Sequence, residues 1–359
     1  MKCCLSLCYK FFIMIEAKGY AAQTAESPLA PWQFERRDIG AHDVQIEILY
    51  CGVCHTDIHL TRNEWFPGIF PMVPGHEIVG RISAVGAHAR KFVIGDLGGV
   101  GVIVDSCREC QDCKNGQEQF CSVAPVQTYN NLGHDGLPAY GGYSNTIVVN
   151  EDFVHHISEK LDLAGVAPLL CAGITTYSPL KRWNVGKGHK LAVVGLGGLG
   201  HMAVKFGNAL GAEVTVLSTS PGKQEAAKQL GASHFIISRD EEQMKAAFKT
   251  FDFVLDTVSG NSDVNPYLSI LKTNGIYVNV GMPAKPWEVS SFTLATGNKV
   301  IAGSGAGGLP ETQQMLDFCA EHGIVSDIEL IDIKDIHTAF DRMQKGDVRY
   351  RFVIDMQTL

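Results

Sequence analysis

Between residues 191 and 303 one pattern recurs six times: a short apolar run, followed in most cases by a stretch of helical character. The runs are LAVVG (191–195), EVTVL (213–217), HFII (234–237), FDFVLD (251–256), GIYVNV (275–280) and KVIAG (299–303). GHMAVKFGNAL and PGKQEAAKQL are two of the helical stretches between them. Parallel strands must be joined by long crossovers, for which a helix is the usual solution. Six strands so connected predict a doubly wound parallel sheet. Residues 15–160 follow another rule. Short β-branched runs such as DVQIEILYCGV, HEIVGRISAVG and GGYSNTIVV alternate with Gly and Pro breaks, which predicts an all-β unit with connecting loops. After residue 309 come two helical stretches and a closing strand, RYRFVID. These cannot extend the parallel sheet by the same rule and are expected to return to the first unit. A chain of 359 residues has room for two domains, each with its own core.

The first of the six strands runs into VVGLGGLGH, which sets Gly195, Gly197 and Gly200 in the spacing G-x-G-x-x-G. The motif alone is weak, but here it follows a strand and opens a helix, the context that gives it meaning. One glycine permits the tight turn, the second lets the backbone approach a pyrophosphate, and the third allows close packing of helix on strand. The loop Gly195, Leu196, Gly197, Gly198, Leu199, Gly200 is therefore expected to hold a dinucleotide, with free N–H groups of the helix start facing the phosphates. A Gly-rich turn without a ligand is the alternative. About twenty residues on, NAD sites carry Asp or Glu on the ribose hydroxyl. This chain has Ser218, then Thr219, Ser220 and Lys223. A carboxylate would repel a 2′-phosphate, whereas hydroxyls and a lysine accept one, so NADP(H) is the expected cofactor. Ser220 also reads as a helix N-cap with Pro221 at the first helical position, and both roles are compatible.

Eleven cysteines are too few for a disulfide scaffold and are unevenly placed. Cys107, Cys110, Cys113 and Cys121 fall within fifteen residues. Four thiolates saturate a tetrahedral zinc and leave no position for a substrate, so this cluster reads as a structural metal site, with disulfides as the alternative. Cys54, His76 and the distant Cys171 make a Cys2His set. A catalytic zinc takes three protein ligands and keeps a fourth position open. Taken singly, His76 or Cys171 would more often be core residues. Cys319, at helical spacing with Met315 and Phe318, is read as core.

Net charge is −8 and the isoelectric point about 5.9, which argues against a nucleic-acid partner. No apolar run reaches the ~18 residues of a membrane span. The opening MKCCLSLCYKFFIM imitates a secretion signal, but Lys10 interrupts it and no small-residue cleavage site follows cleanly. Residues 1–13 are instead read as a non-functional extension.

The motifs CGVCHTDIH, PMVPGHE, CRECQDCKNGQEQFC, CAGITTY, VVGLGGLGH and DVRYRFVID jointly resemble the zinc-dependent medium-chain alcohol dehydrogenases, over roughly residues 15–359. More narrowly, the chain is similar to their NADP-dependent, cinnamyl alcohol dehydrogenase-like group. Alcohol dehydrogenase is the standing example of the Cys2His set, so at that site the match is one of resemblance. The resemblance implies a GroES-like catalytic domain (1–168 and 306–359) interrupted by a Rossmann NADP-binding domain (169–305). It implies a cytoplasmic homodimer joined through the Rossmann sheets, with WEVSSFTLATGNKV near the contact. It implies two zinc ions per chain, the catalytic one held by Cys54, His76 and Cys171 with Glu77 able to approach it. Asp57 would orient the ligand histidine. Thr56 would pass a proton from the alcohol and His59 would be the outer relay, while His55 and Arg349 would meet the pyrophosphate. Thr175 lies where the family touches the nicotinamide, and Thr257 and Gly281 are further cofactor-binding positions. The implied reaction moves hydride between NADPH and an aldehyde polarised by zinc.

The implied substrate is a small aldehyde or alcohol, with no membrane or nucleic-acid partner. Cinnamyl members line their pocket with a tryptophan and a phenylalanine at positions that correspond here to Gln127 and Gly305. Without those rings the pocket is expected to be wider and to accept aromatic and aliphatic aldehydes alike. Trp65 remains as one aromatic surface.

Overall fold

The computed structural model describes residues 14–260 and 263–359, so the reading of 1–13 as an extension lies outside the described residues. All six expected strands form, and they make one sheet in the order His234–Ile237, Glu213–Ser218, Lys190–Val194, Phe251–Asp256, Leu271–Asn279, Val300–Gly303. Every pairing is parallel. In chain order this is third, second, first, fourth, fifth, sixth, so the direction of winding reverses beside Lys190–Val194. A ligand crevice opens at such a reversal, outside the carboxyl ends of the strands. Leu191, Val193, Val214, Val216 and Leu255 are buried, as strands covered on both faces require. The fifth strand begins four residues earlier than the sequence suggests. Its register shifts after Leu271, and the regular ladder starts at Ile276, where the apolar run is evident.

The other sheet has seven strands. His155–His156, Leu97–Val100, Ile78–Val85, Asp43–Gly52, Arg351–Asp355 and Ile328–Asp332 lie in that order, and Thr146–Asn150 also pairs with Asp43–Gly52. The C-terminal segment does return: Arg351–Asp355 pairs antiparallel with Asp43–Gly52 and parallel with Ile328–Asp332. One apolar cluster, including Ile46, Ile78, Ile82, Phe352 and Ile354, fills this unit. A second spans both units through the helix Ala172–Arg182, joining Leu170, Ile174 and Leu180 to Val193, Val216 and Met315. Cys319 is fully buried in that cluster, with its sulfur 3.6 Å from Met315 Sδ, as expected of a core residue.

Candidate active site and metal centres

The strand Asp43–Gly52 leads directly into the helix His55–Thr61, with Cys54 at its N-cap. The turn is held by Asp57, which is fully buried. Its carboxylate accepts from Cys54 N at 2.8 Å, Gly75 N at 3.1 Å and the Tyr143 hydroxyl at 3.1 Å. The same carboxylate faces His76 Nδ1 at 3.3 Å, at an angle that does not make a hydrogen bond. That contact orients the ring and leaves Nε2 for a ligand. Cys171 lies at the start of Ala172–Arg182, and its sulfur is 3.9 Å from Cys54 Sγ. One ligand atom each from Cys54, His76, Glu77 and Cys171 falls within 4.8 Å of the others.

These residues fit a metal ion. A tetrahedral zinc with Zn–S of about 2.3 Å separates its sulfurs by about 3.8 Å, whereas a disulfide needs about 2 Å. Glu77 Oε2 is buried without a partner, beside the thiols and His76. Burial pushes the Glu77 carboxyl up to about 7, against the pull of Arg351. The Cys54 thiol is held well below its ordinary range, chiefly by its hydrogen bond with Cys171. A bound cation would relieve the crowding of acidic groups here.

This cluster opens into a cleft of about 500 Å³ lined by the β-rich unit and by the loops that follow strands of the parallel sheet. Cys54, His55, Thr56, His76, Cys171 and Thr175 line it, and so do Gly197, Gly198, Leu199, Thr257 and Gly281. Thr56 Oγ1 lies 3.5 Å from Cys54 Sγ. The three motif glycines differ in what they permit. Gly195 has φ +89° and makes the turn. A Cβ on Gly200 would strike the Gly195 carbonyl, so helix and strand approach closely there. A Cβ on Gly197 would meet nothing within 4 Å and would project into open space, as expected of a cradle for a ligand. The loop runs into the helix Gly200–Ala209, and Thr257 Oγ1 donates to Val194 O at 2.8 Å behind it.

Ser218 is buried at the end of its strand, and its Oγ accepts from Ser220 N at 3.2 Å. Thr219 and Ser220 are exposed. Ser220 stands at the expected cap position before Pro221, but its side chain makes no capping bond, because the first turn is a 3-10 turn, Pro221–Lys223. Its hydroxyl is therefore not engaged by the helix. Lys223 Nζ donates to Leu196 O at 2.9 Å, which brings the lysine onto the glycine loop. Burial and the neighbouring Arg349 both lower the Lys223 pKa, so the two cations lie close together. Neither is in a salt bridge among the described residues. Arg349 is exposed and does not line the cleft. His59 does not line it either: its ring stacks on Trp65 with centroids 4.4 Å apart, and Nδ1 meets the Glu64 carboxylate.

The second cluster is equally compact. The sulfurs of Cys107, Cys110, Cys113 and Cys121 lie within 4.8 Å of one another, and Cys107 Sγ is 3.9 Å from Cys113 Sγ. None of the four is in a disulfide. Burial pushes the Cys113 thiol up to about 12. Four sulfurs at this spacing fit a closed tetrahedral metal site.

Two residues of the cleft escape sequence reasoning. Arg351 is buried and forms an ion pair with Glu77, its strand and the one after Glu77 flanking Asp43–Gly52. Its side chain packs against Gly198, so it links the metal cluster to the glycine loop. The only local signal is an arginine opening the strand, ahead of the apolar run Phe352–Ile354. Phe120 lines the cleft from within the cysteine-rich lobe, where no periodicity marks it.

Residues 40–159 match the family described as alcohol dehydrogenase GroES-like domain, and residues 198–321 the family described as zinc-binding dehydrogenase. A probable formaldehyde dehydrogenase of Bacillus subtilis is 54% identical over 90% of this chain and 93% of its own length. An NADP-dependent alcohol dehydrogenase of Mycolicibacterium smegmatis is 49% identical over 96% of this chain and 99% of its own. The solved structure of a cinnamyl alcohol dehydrogenase from Sorghum bicolor superposes with a TM-score of 0.92 at 48% identity, covering 96% of this chain and 98% of that one. With both domains matched and relatives aligned over nearly its whole length, the chain belongs to the zinc-dependent medium-chain alcohol dehydrogenases, in their cinnamyl alcohol dehydrogenase-like group.

Proposed function

We propose that the protein is a zinc- and NADP(H)-dependent alcohol dehydrogenase that works as a broad aldehyde reductase. One observation carries this: the Cys54, His76, Cys171 cluster and the Gly197 cradle open into the same cleft. Relatives named for formaldehyde, cinnamyl alcohol and mannitol agree with the reaction class and with a range of substrates. Bound zinc supplies Lewis acidity at the carbonyl oxygen, and NADPH supplies the hydride. Asp57 fixes the His76 ring through the contact described above. Thr56 holds its hydroxyl beside the ligand sulfur, where it can donate the proton that the product alcohol needs. His59, half-exposed and paired with Glu64, is the proposed exchange point with solvent. Arg351, Gly198 and the helix start at Gly200 would meet the cofactor's phosphates with His55 beside them, and Thr175 would meet the nicotinamide end.

Ser218, Thr219, Ser220, Lys223 and Arg349 are proposed as the seat of the 2′-phosphate. Two neighbouring cations without a salt bridge among the described residues, beside the Ser220 hydroxyl that makes no capping bond, support this reading. Ser218→Asp is expected to lower the NADPH-to-NADH ratio of kcat/KM by about fivefold to several hundredfold, since like charges about 4 Å apart repel by roughly 1–4 kcal/mol. Equal use of both cofactors by the wild type would overturn the assignment.

The boundaries 1–168 with 306–359, and 169–305, are proposed as the two domains. A homodimer is proposed through the free edge Val300–Gly303, next to which Met282, Phe292 and Val300 are exposed. An uncovered edge strand with apolar neighbours invites pairing with a second copy. A cytoplasmic location is supported by two clusters that need reduced thiols to bind metal. Among the described residues no single helix is long and apolar enough to cross a membrane.

Gln127 and Gly305, at the positions of the cinnamyl enzymes' rings, both line the cleft and leave it wide. The test is NADPH oxidation with benzaldehyde, cinnamaldehyde and butanal at one pH. Their kcat/KM values are expected to lie within about two orders of magnitude, the range one hydrophobic contact allows. A preference above a thousandfold for hydroxycinnamaldehydes would replace the broad reading with a dedicated one.

A further inference from the structure

Two polar side chains of the cleft have no part in the chemistry described above. His155 is 5% exposed, lines the cleft and belongs to neither metal cluster. It opens the short strand His155–His156, which pairs with Gly98 and Gly99. Burial pulls its pKa down to about 4, so at neutral pH the imidazole is uncharged, with one N–H donor and one acceptor nitrogen. Its ring makes no hydrogen bond among the described residues. Gln119 lines the same cleft from the 3-10 turn Glu118–Phe120, and its Oε1 is buried without a partner. Buried polar groups left unmet are costly, so each calls for a ligand atom or another explanation.

One helix, Leu309–His322, brings the two together. At its start Leu309 N donates to Glu118 Oε2 at 2.9 Å, beside Gln119. Gly308 lies so close to the Gly116 carbonyl that a side chain has no room, and Pro310 packs against Gly116. One turn further on, Gln313 clips the neighbour of His155. His156 N donates to Gln313 Oε1 at 2.9 Å, and Gln313 Nε2 donates to His156 O at 3.1 Å. Residues 309 and 313 are about 6 Å apart along a helix axis, so the turn of Gln119 and the strand of His155 are held at the same end of this helix. Thr312, between them, also lines the cleft, but its hydroxyl already donates to Gly308 O at 2.8 Å. Ile103, Leu170 and Ile174 give the same cleft apolar wall for a carbon chain.

We infer that His155 and Gln119 form a polar subsite for a hydroxyl group remote from the reacting carbon, so that the enzyme selects alcohols and aldehydes that carry a second hydroxyl. This rests on the dehydrogenase reading above and names a substrate class within it. A hydroxyl accepts from the His155 N–H and donates to Gln119 Oε1, so one group answers both. A methyl group in its place answers neither and leaves both stranded.

The test is oxidation by NADP+ of straight-chain diols from 1,4-butanediol to 1,10-decanediol, each against the 1-alkanol in which the far hydroxyl is a methyl group. kcat, KM and zinc content are measured for the wild type, His155→Leu, His155→Gln and Gln119→Leu. Because the subsite stands at a fixed place in the cleft, the diol-to-alkanol ratio of kcat/KM is expected to peak at one chain length in the wild type. At that length the ratio should fall about tenfold in His155→Leu, chiefly through KM, which is the scale of one buried hydrogen bond lost. His155→Gln keeps a donor and an acceptor and should retain most of the peak. Gln119→Leu should lower it by a similar factor, and it carries the comparison if His155→Leu fails to fold or loses zinc. A flat ratio across chain lengths in the wild type, or an unchanged peak in a leucine variant with full zinc content, would overturn the proposal. A wild type that oxidises neither diols nor alkanols would instead overturn the functional reading beneath it.

Discussion

Replacing Cys54 by alanine is expected to lower kcat/KM for benzaldehyde at least about a thousandfold while leaving the protein folded. The activity loss follows from the ligand set. With one sulfur gone, His76 and Cys171 hold the ion with two protein ligands where a catalytic zinc takes three. Lewis acidity at a carbonyl is worth several kcal/mol of transition-state stabilisation, and each 1.36 kcal/mol is tenfold in rate. Retention of the fold follows from which Cys54 atoms do structural work. The bond that fixes the strand-to-helix turn is from the Cys54 backbone N–H to Asp57, and alanine keeps that group. Asp57 also keeps Gly75 and Tyr143 as donors. Zinc content should drop from about two per chain to about one, with the thermal transition close to that of the wild type. An active Cys54→Ala variant would remove this cluster from the reaction.

Much of this architecture is legible because its signals are local. HFII is exactly bounded as the strand His234–Ile237, since an apolar run flanked by a glycine turn and polar residues has few other solutions. The shape of the glycine loop is legible because its three positions face three separate steric demands within six residues. The four-cysteine cluster reads correctly because one short loop brings all its sulfurs together. What the sequence conceals is contact over distance. Glu77 meets Arg351 across 274 positions, and only the return of the C-terminal strand beside Asp43–Gly52 unites them. Phe120 looks like a filler between cysteines until the lobe is docked on residues 308–310. Ser220 fails as a cap for a local reason: the 3-10 turn that Pro221 begins leaves its hydroxyl without a capping bond. The sequence offers His59 as an outer relay but not the partners it finds, Glu64 and Trp65, which come from the loop just after its own helix.

The lobe itself gives the last expectation. Between residues 107 and 121 only Cys113 and Cys121 are buried, so the loop has no apolar core of its own to hold it shut. Its regular structure is a four-residue helix, Gln111–Lys114, and the turn Glu118–Phe120. Segments this short do not persist without help. Beyond the bond from Leu309 N to Glu118 and the pairing of Arg108 with Asp105 and Asp152, the metal orders the lobe, and in small zinc-folded peptides a metal supplies about 10–16 kcal/mol. Cys113→Ser removes one of four ligands from a closed site and leaves a weak oxygen donor in place of a thiolate. If only about 3 kcal/mol of the metal's contribution is felt in the local opening equilibrium, the open population rises about a hundredfold. Trypsin reports this directly, because Arg108 and Lys114 are exposed on the lobe. Cleavage there should accelerate by about that factor, zinc should fall to about one per chain, and the Rossmann sheet should stay resistant. A zinc chelator should open the wild-type lobe in the same way, and dithiothreitol alone should not. Cleavage opened by dithiothreitol without metal loss would mean that disulfides, not zinc, close the lobe.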